Sequence, residues 1–406
     1  MRPGNDHERP TIVILSGVRW RFLWQRHQTL ATLFAGAGYP TIFVETTGLS
    51  TPRPTAYSLR LAASRIIAAR PPGMDDESGV GSGGFRRNRA SPIVYSPLVA
   101  PPTARLFRLA NARRFVPKVV RDLRLLPGLD SGERPVVIAY PPTRTTLEIV
   151  SRISPRLLYY DCSDKYTAFS GAPYDLHRTE REMLLRAELV SCTSEHLLGR
   201  VQKLRPDALL LGPGVEYERF AGPEGEFRKT ASEAREICYF GDVTEERTNT
   251  SVLAGLAKAG FRVRLVGEVR GRARRLLRRP NVEYRGVVEH KELPDELRDV
   301  DALIMPYKEN ALTRGISPAK LYECLATGLP VVATPLPALE AAIGRGLVYP
   351  AGTTEEYIEI LSRLGKTESE KLVQDRRKVA ENNSWENLFS RVEGMIWREL
   401  ARNRNE

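Results

Sequence analysis

Short β-branched runs alternate with helix-length amphipathic segments twice along this chain, and that double alternation is the signature of parallel α/β construction. In the first half the strands read as TIVILS (11–16), TIFVE (41–45), PVVIAY (135–140), RLLYYD (156–161) and ELVSCT (188–193). Helices are expected between them, over 25–37 and 174–187 among others, with Gly36 and Gly38 where the first should stop. A second set opens near 236 with EICYFG (236–241), FRVRLVG (261–267), NVEYRGV (281–287), ALIMPY (302–307) and PVVAT (330–334). Two successive doubly wound units in 406 residues predict two Rossmann-like domains facing each other across a cleft. The Gly- and Pro-bearing stretch 213–235 reads as the linker, which gives domains at 1–212 and 213–383. In 384–406, Trp385, Leu388, Phe389, Val392, Ile396 and Trp397 fall at helical spacing. They predict an amphipathic helix packing back on the first domain.

Composition narrows the setting. No apolar run approaches the ~18 residues of a membrane span, and the polar opening MRPGNDHERP predicts no signal peptide. Cys162, Cys192, Cys238 and Cys324 lie far apart in apolar contexts, a pattern of buried thiols rather than of a disulfide frame or zinc site. A cytoplasmic protein is the expectation. The net charge of +12 favours acidic partners (nucleic acid, anionic lipid or phosphorylated small molecules) without choosing among them. Residues 71–90, glycine-rich and almost without apolar side chains, predict a mobile loop.

The chemistry concentrates in 301–334, DALIMPYKENALTRGISPAKLYECLATGLPVVAT. A buried strand ends at Tyr307, a polar loop follows, Ser317-Pro318 opens a helix over 318–327, and Gly328 closes it before the next strand. A loop at the carboxyl end of a parallel strand is where open α/β sheets bind ligands, and the free N–H groups of a helix start favour phosphate. Lys320 adds a positive charge in the first turn. Glu323 lies three residues on, placed to accept hydroxyl hydrogen bonds from a ribose. Asn310 and Thr313 offer further donors from the loop. An ordinary helix with Ser317 as a simple cap and Lys320–Glu323 as a surface pair explains the same residues equally well.

The stretch SPAKLYECLATGLPVVAT resembles the donor-site helix of family-4-like GT-B glycosyltransferases, in the branch bearing Ser-Pro-x-Lys-x-x-Glu. The resemblance implies that Glu323 holds the nucleotide ribose while Ser317 and Lys320 face the diphosphate. NVEYRGVVEHKELPDELRDVDALIMPY is similar to the segment that holds the base, which brings Gly286 and Val287 to the donor. WRFLWQRHQTLATLFAGAGYPTIFVE is similar to the opening unit of envelope-polysaccharide members, implying an acceptor side around Gly17, Arg26 and His27. For His27 a place on the helix surface is an equal reading. The pattern also departs from the family. Relatives often carry a second glutamate eight positions before the first, where this chain has Gly315. Their Arg…Lys phosphate pair is imperfect in GDVTEERTNT, leaving Arg247. A first-domain histidine is replaced in YYDCSD by Asp161, Ser163 and Asp164.

The resemblance therefore implies transfer of a sugar from a nucleoside-diphosphate sugar to a saccharide or lipid-linked acceptor, in cell-envelope or exopolysaccharide synthesis. It also implies retention of configuration, no metal and no other cofactor. Lys320, Arg247, Asp161 and Asp164 are the catalytic candidates, the first two opposite the charge that develops on the leaving diphosphate. Asp299-Val300-Asp301 has metal-motif spacing but precedes its strand, and reads as a solvated strand entry. A nucleotide-sugar epimerase and a non-catalytic anionic-membrane or nucleic-acid binder are the alternatives. The basic stretch 105–126 suggests peripheral contact with the inner face of an anionic membrane. Pro117, which should interrupt that stretch, favours a helix packed on the first domain instead. The arginine cluster 270–279 reads as a solvated helix face, with no nucleic acid expected.

Overall fold

The computed structural model describes residues 9–21, 24–45, 91–101, 104–169, 171–222, 234–310, 312–316, 318 and 320–405. The loop expected over 71–90, and Ser317, lie outside them. The chain divides into two compact units, at Leu211/Gly212, with the first unit taking back residues from Phe389 onward.

The first unit holds a seven-stranded sheet in the order β3-β2-β1-β4-β5-β6-β7. Its strands are β1 Ile12–Leu15, β2 Thr41–Val44, β3 Ile93–Tyr95, β4 Val136–Ala139, β5 Leu157–Cys162, β6 Leu189–Cys192 and β7 Leu209–Leu210. Every pairing is parallel. The central strands are buried on both faces, which is why they read as unbroken apolar runs rather than as alternation. The helix Arg26–Gly36 follows β1, and Gly38, at φ +84°, turns the chain back through Gly38 N–H to Ala35 O and Tyr39 N–H to Phe34 O. From the C-terminal helix Trp385–Asn405, Phe389 packs edge-on against Phe34, and Trp397 Nε1 donates to the Tyr39 hydroxyl, which itself donates to Glu393.

Pro117 does not interrupt the basic stretch. Helix runs through Arg105–Ala110, Asn111–Phe115 and Val116–Leu123, and the middle piece is a π turn. The wider i→i+5 turn just before the proline accommodates a residue that has no N–H to give.

The second unit holds a six-stranded sheet, β10-β9-β8-β11-β12-β13. Its strands are β8 Glu236–Phe240, β9 Arg262–Val266, β10 Val282–Gly286, β11 Ala302–Met305, β12 Val331–Ala333 and β13 Tyr349–Pro350, again all parallel. Part of the stretch expected as linker is built into this unit. Tyr217–Ala221 is helical with Phe220 fully buried, and Val215 bridges to Ser384. Those two apolar side chains, set in a Gly/Pro-rich context, are what the linker reading passes over. All four cysteines are buried and free; Cys162 and Cys192, far apart in sequence, are register partners on β5 and β6. Among the described residues no helix is long and apolar enough to cross a membrane.

Candidate functional site

In the second sheet, strand order reverses between β8 and β11, and the loops beyond their carboxyl ends meet there. The loops 241–249 and 306–316 are stitched together. Asn249 N–H donates to Pro306 O (2.7 Å), Lys308 N–H to Arg247 O (2.9 Å), and the Asn310 side-chain amide to Glu246 O (2.8 Å). The sequence reading has Asn310 and Thr313 as open donors to a ligand, but the structure spends both on the loop. Asn310 Oδ1 accepts from the N–H groups of Leu312 and Thr313, and the fully buried Thr313 hydroxyl donates to Lys308 O. Arg247 is exposed on the first of these loops.

The helix expected at the donor spans Lys320–Thr327. Lys320, its first residue, sends its ammonium to Phe240 O at the end of β8 (2.6 Å), 4.0 Å from the centre of the Tyr239 ring. Burial opposes the charge, but Tyr239 and Tyr307 outweigh it, so the lysine pKa lies above its ordinary value. Gly241 follows β8 at φ +106°, and a Cβ there would stand 3.0 Å from Lys320 Nζ. Gly267, which follows β9, backs onto Gly241 so closely that its Cβ would meet the Gly241 carbonyl oxygen at 2.5 Å. This glycine pair lets backbone lie directly over the lysine. At the other end of the helix, Gly328 (φ +80°) ends the turn, and its carbonyl accepts from the fully buried Arg376 (3.2 Å) while Thr327 O accepts from Arg377 (3.3 Å). Two arginines thus satisfy the last carbonyls of this helix.

Glu323 is mostly buried, and its carboxylate accepts from His290 Nε2 at 2.8 Å. On the other side of the ring, His290 Nδ1 is 3.8 Å from Glu216, whose carboxylate also pairs with Arg219, and the ring leans on Phe220. Burial works to lower the His290 pKa, but the Glu323 hydrogen bond and the charges of Glu323 and Glu216 overcome it and raise it. His290 follows β10, four residues past Gly286, which has φ +78°. Val287 is 72% exposed beside it. His290, Glu216, Tyr239, Gly241 and Gly267 are site residues that the sequence reading missed. The glycines immediately after two successive strands were a usable signal; the histidine, one of five scattered along the chain, gave none.

Asp299-Val300-Asp301 precedes its strand as expected, but it is not solvated throughout: Asp299 is exposed, whereas Val300 and Asp301 are buried. Asp301 is buried and its Oδ2 accepts from the N–H groups of Arg235 and Glu236.

In the first sheet the order reverses between β1 and β4. Gly17, just past β1, faces Pro141 at ordinary contact distance. Arg26 and Asp161, read as acceptor-side and catalytic, are each other's partners. Arg26 Nε meets Asp161 Oδ2 at 2.6 Å, Ser191 donates to the other carboxylate oxygen (2.7 Å), and Asp161 is fully buried. A carboxylate so engaged has no oxygen facing a substrate. His27 is not on the helix surface. It is buried, stacked on Tyr140 at 3.5 Å and hydrogen-bonded through Nδ1 to Ser16. Burial, with the Arg26 charge second, pushes its pKa down to about 3. Asp164 is exposed in the loop after β5.

Two doubly wound parallel sheets, each with one reversal of strand order, make this the GT-B fold. Residues 235–366 match the family model described as Glycosyl transferases group 1, a span that contains Lys320, Glu323, His290 and both glycines over the lysine. Over 258 residues the chain is 29% identical to the Bacillus subtilis (strain 168) protein named "Putative teichuronic acid biosynthesis glycosyltransferase TuaH", covering 57% of this chain. The match spans 65% of the length of that curated relative. Among solved structures, a glycosyltransferase from Rickettsia africae aligns with a TM-score of 0.62 at 13% identity, over 98% of this chain and 100% of its own. HepE of Anabaena, solved with UDP and glucose, aligns with a TM-score of 0.61 at 14% identity, over 96% and 100%. At such identities the likeness is one of fold.

Proposed function

We propose that this chain is a glycosyltransferase that moves a sugar from a nucleoside-diphosphate sugar to a saccharide or lipid-linked acceptor in cell-envelope polysaccharide synthesis. The observation that carries the reading is the grouping of Lys320, Glu323 and His290 at the strand-order reversal of the second sheet, inside the span that matches the group 1 glycosyltransferase model. The named activity of the Bacillus relative supports the cell-envelope setting, and the donor helix supports placement in the branch with Ser-Pro-x-Lys-x-x-Glu. In this reading Glu323, steadied by His290, accepts the ribose hydroxyls. The bond between the anomeric carbon and the diphosphate breaks with its electron pair going to the phosphate oxygen. Lys320 and the exposed Arg247 supply positive charge there, fixed before the charge develops. Retention and independence of metal are part of the proposal, as is action at the cytoplasmic side. The epimerase alternative has no supporting observation: His27 of the first unit is buried with its pKa pressed down, and Asp161 is enclosed.

The test is nucleotide binding followed by turnover. UDP, GDP and dTDP are titrated calorimetrically, and a screen of nucleotide sugars is read for release of nucleoside diphosphate. At least one nucleotide is expected to bind. Glu323→Ala should weaken it by roughly ten- to a hundredfold, as loss of hydrogen bonds to a charged group does, with the melting temperature unchanged. A protein that binds none of the three defeats the proposal.

A further inference from the structure

The piece of the molecule with no job in the donor site is the helix through Arg105–Leu123. Its first segment, Arg105–Ala110, has no buried residue at all, yet it carries Leu106, Phe107 and Leu109 at 73%, 41% and 45% exposure. Leu125, just past the helix, is 70% exposed. Apolar side chains left in water at this density mark a contact surface rather than a random scatter. Around them, RLFRLANARRFVPKVVRDLRLL sets seven arginines and lysines against one acid, Asp122. That acid is itself engaged, by Tyr95 and by Lys118 at 2.7 Å. A groove of about 430 Å³ opens at Leu125, with Pro117 and Val120 as further apolar lining and Arg121, Arg124 and Arg152 around them. Two of these guanidinium groups are held in place by backbone, Arg124 donating to Arg152 O and Arg152 to Ala112 O, each at 3.1 Å.

We infer that this face docks on an anionic lipid bilayer, with Leu106, Phe107, Leu109 and Leu125 entering the headgroup–acyl boundary and the arginines meeting lipid phosphates. Two features of this face select a membrane over the other polyanion, nucleic acid. The cations are interleaved with exposed leucines and a phenylalanine that would gain nothing against a phosphate backbone. The groove also presents an apolar floor beneath its guanidinium groups. Unpaired aliphatic side chains are an asset only where there is hydrocarbon to receive them. The inference does not depend on the donor-site reading, since the face belongs to the first unit and shares no residue with that site. It supplies the place where a lipid-linked acceptor would be met.

The experiment is flotation of the full chain with vesicles of phosphatidylcholine alone and of phosphatidylcholine with phosphatidylglycerol. Binding is expected to the second only, and to weaken with added salt. Arg113→Gln/Arg114→Gln/Arg121→Gln should lower it by about a hundredfold. Leu106→Ser/Phe107→Ser should lower it by about tenfold or more at unchanged charge. Both variants should keep the wild-type melting temperature, because the altered side chains are exposed. Any of three results overturns the inference: equal or absent binding to both vesicle types; self-association of the chain that Leu106→Ser/Phe107→Ser abolishes; or nucleic acid displacing the vesicles and losing affinity with the same arginine variant.

Discussion

Each unit places a histidine near the reversal of its strand order, and the two are opposites. His27 of the first unit is enclosed, stacked on Tyr140, and neutral because burial and Arg26 press its pKa down to about 3. His290 of the second unit is 43% exposed, lies between two carboxylates, and has its pKa raised. The same topology thus yields one end built on a fully enclosed pair, Arg26 against Asp161, and one end whose pair, His290 against Glu323, stays partly open to solvent. A shared fold fixes where a site can form. What forms there is decided by whether the polar groups are answered from inside.

The comparison breaks first at Asp161. Removing its charge leaves the Arg26 guanidinium buried without a counter-ion, so Asp161→Asn should cost about 3–5 kcal/mol in denaturant unfolding. An apolar replacement of both residues should cost much less. A loss under 1 kcal/mol for the single variant would mean that the pair does not hold the first unit's end together.

The next effect is on acid stability, and it comes from His27. Its folded pKa lies below the unfolded value, so the unfolded chain binds the extra proton. The stability it protects is complete above about pH 6.5 and declines as pH falls toward 3, by up to about 1.4 kcal/mol per pH unit. Urea unfolding at pH 7 and pH 5 should show that decline, and His27→Gln should flatten it. A slope unchanged in the variant would refute the neutral assignment.

The smallest effect has the reverse sign. The raised pKa of His290 means that its contribution is complete below about pH 6.5 and is lost as pH rises through the folded value. Nucleoside-diphosphate affinity should therefore fall a few-fold across that range as the cation beside Glu323 disappears, a modest change because the ring is partly solvated. His290→Gln, which keeps a donor to Glu323, should bind with no such dependence. Parallel pH profiles for variant and wild type would separate Glu323 from its neighbour.

How much of this was legible follows the range of each interaction. The core strands, the stop at Gly38 and the end of the donor helix at Gly328 are local signals, and the sequence carries them within a few residues. The edge strands Leu209–Leu210 and Tyr349–Pro350 are only two residues long, too short for any periodicity to register. The Arg26–Asp161 pair joins residues 135 apart, and His290–Glu323 residues 33 apart. Nothing in either local context announces its partner. That is why the sequence of YYDCSD shows Asp161 as an open carboxylate while the structure shows it buried against Arg26. Asn310 and Thr313 fail differently: polar loop residues look available until the loop's own backbone claims them.

That claim has a consequence for motion. Loops 241–249 and 306–316 share main-chain hydrogen bonds in both directions, so neither can lift away without breaking the other's. Arg247 and Lys308, 61 positions apart along the chain, are tied main chain to main chain, so opening at one requires opening at the other. Whatever stiffens the first loop stiffens the second by the same stroke.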